Sequence, residues 1–162
     1  MRRFAFAVCF IALLAFATAT VAAAATTTIV GYEIFPGVRI GDNVYGTTFV
    51  GESFTGSDAT GAWAARVNYH ENAVPVGRSV TITGGSWYLR TVAGSTSYGR
   101  VSGGTVVWPP LNAGSPCGSA ASFSATLVVV YPSAGTGSIV GCLDDTHFPP
   151  TIPTLTGVLT LP

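Results

Sequence analysis

From about Thr26 onward, apolar and polar side chains alternate with a period of two, in short runs broken by glycine or proline. Trp63, Ala65, Val67 and Tyr69 share one side of an extended segment, and Arg66, Asn68 and His70 share the other. Phe123, Ala125, Leu127, Val129 and Tyr131 likewise face away from Ser122, Ser124 and Thr126, and Leu155, Gly157, Leu159 and Leu161 away from Thr156, Val158 and Thr160. Between Val128 and Val130 both faces are apolar, which predicts a central place in a sheet. Helical spacing of apolar positions is absent. The pattern predicts strands over Thr27–Tyr32, Thr47–Glu52, Ala62–His70, Ser79–Thr83, Ser86–Val92, Gly104–Trp108, Ser122–Tyr131, Ser138–Leu143 and Leu155–Leu161.

Gly56-Ser57-Asp58, Pro75-Val76-Gly77, Ala93-Gly94-Ser95 and Asn112-Ala113-Gly114 supply turn chemistry between these runs. Thr81-Ile82-Thr83-Gly84-Gly85-Ser86-Trp87 is echoed by Arg100-Val101-Ser102-Gly103-Gly104-Thr105-Val106, which reads as two adjacent meander strands, each bent at a glycine pair. The fold expected is all-β: a single antiparallel β-sandwich or partly closed β-barrel of about nine strands. Trp63, Val67, Phe123, Leu127, Val129, Leu159 and Leu161 should lie inside.

The first part of the chain departs from this pattern. Arg2 and Arg3 precede an uncharged apolar stretch from Phe4 to Phe16, followed by alanine, threonine and one valine to Ala25. Ala22-Ala23-Ala24 and Ala23-Ala24-Ala25 both place small residues where a secretory peptidase needs them, so residues 1–25 read as a cleavable signal peptide and 26–162 as a secreted domain. An uncut membrane anchor is the minority reading. Without Cys9, Cys117 and Cys142 remain, and an even pair in an oxidising compartment predicts a disulfide worth roughly 3–4 kcal/mol. Their spacing fits neither a redox nor a zinc motif.

Charge narrows the chemistry. There is no lysine, which excludes Schiff-base chemistry and a lysine general base. Arg39, Arg66, Arg78, Arg90 and Arg100 stand dispersed against seven acids, so the sequence offers no basic cluster for nucleic acid or for a membrane after signal cleavage. No nucleotide loop or G-x-S-x-G elbow is present, and no cofactor is implied. Asp144-Asp145-Thr146-His147 is the densest polar cluster. Asp145 and His147 would share a side if extended and could hold a metal or orient a base, with His70 and Glu71 as further ligands if the fold joined the two segments. The plainer reading is an Asx-type turn before Phe148-Pro149-Pro150. A carboxylate-pair glycosidase could draw on Glu33, Glu52, Glu71, Asp144 and Asp145, although no pairing is visible.

Aromatics suggest a second chemistry. Trp87 and Tyr88 must face opposite ways in a strand, Trp108 precedes a proline pair, and Tyr98 lies in a loop-like stretch. Exposed rings among Trp87, Tyr88 and Trp108 could stack on sugars, with Arg66 and Asn68 adding hydrogen bonds.

Gly61-Ala62-Trp63-Ala64-Ala65-Arg66-Val67-Asn68-Tyr69, Thr83-Gly84-Gly85-Ser86-Trp87 and Leu143-Asp144-Asp145-Thr146-His147-Phe148-Pro149-Pro150-Thr151-Ile152 with the closing strand resemble a loose group of small secreted bacterial β domains of unassigned activity. The glycine-rich meander also resembles, in strand texture, the allene-oxide-cyclase and dirigent barrels. Both resemblances imply a β fold, and neither supplies catalytic residues. The resulting expectation is a secreted, non-catalytic domain that binds a ligand or surface, with carbohydrate or a cell-surface ligand as the candidate partner, or that serves a structural extracellular role. The alternative is a metal-assisted hydrolase built on Asp145 and His147.

Overall fold

The computed structural model describes residues 24–73, 77–145 and 152–162. Residues 1–23 of the expected 1–25 signal peptide, and His147, lie outside them. Among the described residues there is no helix, and nothing helical long and apolar enough to cross a membrane. The strands are β1 (Ala25–Phe35), β2 (Val38–Ile40), β3 (Asn43–Thr55), β4 (Asp58–Asn72), β5 (Ser79–Thr91), β6 (Thr96–Val107), β7 (Ala121–Tyr131), β8 (Gly135–Asp144) and β9 (Thr154–Leu161). From β3 to β9 each strand pairs antiparallel with the next, and β1 closes the circle between β9 and β3. The result is a closed eight-stranded antiparallel barrel, with β2 added outside the circle against β3. The barrel is therefore the correct one of the two architectures expected, and it is fully closed.

Alternation decides which side chains fill it. Ile29, Phe49, Trp63, Ala65, Val67, Trp87, Leu89, Val101, Phe123, Leu127, Val129, Ile139, Leu155 and Leu159 are buried in one cluster, with Leu161 packed against it. An eight-stranded barrel is just wide enough for side chains to fill, and each large apolar chain buried there contributes about 1.5–3 kcal/mol. Glycine makes room for the largest of them. Gly51 lies opposite Trp63 and Gly31 opposite Gly51, and a side chain at Gly31 would occupy the space of the Trp63 indole. The Trp63 ring is then fixed by its Nε1–H, which donates to the Val30 carbonyl at 3.1 Å.

Three details differ from the alternation pattern. Gly84-Gly85 does not divide two strands: β5 runs through it, and Gly103-Gly104 sits in the middle of β6 beside it. Tyr131 leaves the inner face because the β6–β7 register shifts between Tyr98 and Gly99, and its ring is 48% exposed. Val128 and Val130 are likewise exposed, since a closed barrel gives every strand two neighbours and leaves its outer side bare. Cys117 and Cys142 form the expected disulfide, tying the β6–β7 connection to β8.

Candidate functional site

Large residues fill one end of the barrel, where Trp63, Trp87, Leu89 and Val129 lie. At the other end the inward side chains leave space between them, and the barrel opens as a cup of about 250 Å3. Its floor is Phe49, Val67, Val80, Ile82, Val106, Phe123, Leu143 and Leu155. Its rim is Glu33, Thr47, Tyr69, Arg78, Trp108 and Asp145. At about 30 Å3 per water, the cup has room for about eight water molecules or one small organic molecule. The ends of β4, β6 and β8 and the starts of β5, β7 and β9 converge here.

A polar chain runs along one side of the rim. Arg39 on β2 grips Glu71 in a two-pronged pair, with Nη1 donating to Oε2 at 2.8 Å. Arg78 also donates to Glu71, at 3.4 Å, and its Nη1 lies 3.8 Å from Asp145 Oδ2. The Arg78 guanidinium covers the Trp108 ring, 4.3 Å from its centroid. Trp108 in turn donates its Nε1–H to Asp145, 3.0 Å from both carboxylate oxygens. The guanidinium is attracted to the ring face while the positive ring edge meets the carboxylate, so the three side chains hold one another in place.

Glu33 stands on the Asp145 side of the rim, with only the start of β9 between them. It follows Ile29 and Gly31 on the inward side of β1, and its backbone N–H donates to Pro153. Among the described residues its carboxyl has no hydrogen-bond partner. Burial, and then the negative charge of Asp145, push this carboxyl above the usual carboxylate range. Burial likewise raises the Tyr69 phenol. Glu71 moves the other way, because its hydrogen bond with Arg39 holds its carboxyl below the ordinary range.

The residues singled out in the sequence are therefore dispersed. Asp145 and Trp108 meet at the rim. His70 turns to the outer side, with Nδ1 3.2 Å from Asn43 Oδ1, and Glu71 is held by arginines. No group of three metal-binding side chains occurs among the described residues. Trp87 is 4% exposed and belongs to the core, out of reach of a ligand approaching the wall. Tyr88 lies on the outer wall, while Arg66 and Asn68 line a shallow outer depression with Tyr45, Gly85 and Ser86.

Sequence reasoning missed Arg78 and Tyr69 as rim residues and grouped Glu33 only with the other carboxylates. The available signal for Glu33 was its parity: an acid at an inward position of a strand that is otherwise apolar on that side. Comparison of the chain with known family models and with curated proteins found no match.

Proposed function

We propose that the protein is an exported, non-catalytic binding domain whose cup takes a small, mainly apolar molecule with a hydrogen-bond-donating or cationic head. The observation that carries this reading is the apolar floor facing a half-buried carboxyl, Glu33, that no described residue satisfies. This carboxyl faces the open cup, so a ligand that displaces water from it must supply a donor in its place, and a hydroxyl or ammonium would do so. Arg78 does not take that role, since Glu71 and Asp145 already share it. Export is supported by the tripartite leader and by the disulfide, which suits an oxidising compartment. The hydrolase reading has less behind it, because both oxygens of Asp145 already accept the Trp108 N–H.

Titration with hexylamine, hexanol and hexanoate, followed by tryptophan fluorescence and calorimetry, tests the reading. Hexylamine and hexanol should bind, and hexanoate about tenfold more weakly because its carboxylate meets Glu33 and Asp145. Val106→Phe, which fills the floor, should abolish binding of all three, and Glu33→Gln should erase the preference for the amine. Absence of binding by all three, or full binding by Val106→Phe, overturns the proposal.

A further inference from the structure

The outer wall formed by β4 to β7 carries chemistry that the cup does not use. Ala64, Tyr88, Tyr98 and Tyr131 are successive register neighbours across the four strands. The three tyrosines are 41%, 44% and 48% exposed, which makes the row an open surface rather than core. One row toward the mouth lie Arg66, Ser86 and Arg100, and one row away lie Ala62, Arg90 and Thr96. All three arginines are exposed. Arg39 and Arg78 are engaged by Glu71 and Asp145, whereas Arg66, Arg90 and Arg100 have no carboxylate partner among the described residues. Glu52 is the acid on the Arg90 row, two strands away on β3, at roughly 10 Å. A chain with no net charge thus gathers three unpaired cations on one wall.

We propose that this wall binds an acidic polysaccharide, through sugar carboxylates or sulfates. A guanidinium presents a fork of N–H donors that matches such an anion, and the tyrosine hydroxyls add donors between the forks. Gly85 in β5 lines a shallow depression beside Arg66, where Asn68 and Ser86 offer further polar groups to sugar hydroxyls. Single-stranded nucleic acid fits less well. The Tyr98 and Tyr131 rings stack on each other, 5.5 Å between centroids and 11° between planes, so they present edges and hydroxyls outward. Of the three rings, that leaves only Tyr88 to receive a base, whereas single-strand binding relies on successive stacked bases. The proposal does not depend on what the cup binds.

Affinity electrophoresis of the disulfide-bonded chain in gels containing polygalacturonate, dextran sulfate, neutral dextran or polyuridylate tests it. Retardation by one or both acidic polysaccharides is expected, and which one responds separates carboxylate from sulfate recognition. It should be lost at high salt and absent in neutral dextran. The triple variant Arg66→Gln, Arg90→Gln, Arg100→Gln should weaken it at least about tenfold with an unchanged melt. Tyr88→Phe, Tyr98→Phe, Tyr131→Phe should weaken it less, and Val106→Phe in the cup should leave it intact. The proposal fails if neither acidic polysaccharide retards the chain, if dextran retards it equally, or if polyuridylate binds as tightly. It also fails if the folded arginine variant binds like the parent chain.

Discussion

Burial and the nearby Asp145 charge favour the protonated form of Glu33, while Arg39 and Arg78 favour the ionised form of Glu71. The two carboxyls therefore act on stability in opposite senses. Glu33 contributes stability below its ordinary range, and this is lost as pH rises through its elevated folded value. Glu71 contributes stability above its ordinary range, and this is lost as pH falls through its depressed folded value. Melting temperatures followed from acid to neutral pH should show Glu33→Gln more stable than the parent chain at neutral pH and equal to it in acid. Glu71→Gln should be less stable at neutral pH and converge with the parent chain in acid. Nearby, Trp108→Phe keeps a ring beneath Arg78 but removes the N–H that Asp145 accepts. For this partly exposed pair the loss should be about 1–2 kcal/mol. Asp145→Asn should cost less in the Trp108→Phe background than alone, which a double-mutant cycle measures directly. The polar residues of this network were visible in the sequence, but not their partners, because Asp145 and Trp108 are brought together only by barrel curvature across β6, β7 and β8.

At the scale of the strands, the glycine pairs bend β5 and β6 where the wall curves. At Gly85 and Gly104 φ is +155°, and a Cβ would collide with the carbonyl oxygens of Arg66 and Ser124 on the neighbouring strands. Gly85→Ala and Gly104→Ala should each cost about 3 kcal/mol or more, combining backbone strain of about 1–3 kcal/mol with displacement of the paired strand. A variant that melts within a degree or two of the parent chain would show that the bend tolerates a side chain. Replacing Cys117 and Cys142 by serine should cost about 2–4 kcal/mol, read as an earlier cooperative melt. Strand positions and inward faces were legible because parity carries them, as Trp63 to Tyr69 and Phe123 to Val129 show. Ends were less legible: β3 and β4 run longer than their apolar cores, since pairing extends through Asn43 and Asp58. β2 was invisible because its three residues, between Gly37 and Gly41, are too few to show a period.

Closure is a property of the whole molecule, and periodicity does not encode it: a sandwich and a barrel both require half-buried strands. What selects the barrel is β1, whose pairing with β9 runs from Ala25↔Leu161 to Tyr32↔Thr154 while its other edge pairs with β3. Without β1, β9 and β3 would be two open edges, each with unpaired backbone groups. The same pairing sets the two ends of the described barrel side by side, at the end opposite the cup. A circular permutant follows from that geometry. Pro162 can be joined to Ala25 by a short glycine-rich linker and the chain opened at Gly56-Ser57, in the tight turn between β3 and β4, also away from the cup. Loop tips tolerate new termini, and the linker replaces one short turn by another. The permutant should melt cooperatively within about 5 °C of the same residues in native order and bind the amine probe with unchanged affinity. If β1 were instead a loose flap, tethering it to β9 would stabilise the fold substantially and opening the β3–β4 turn would cost little. If closure were absent, the new linker would strain a sandwich edge and the permutant would not fold. Near-equality with the native order is the outcome that a closed ring of eight strands requires.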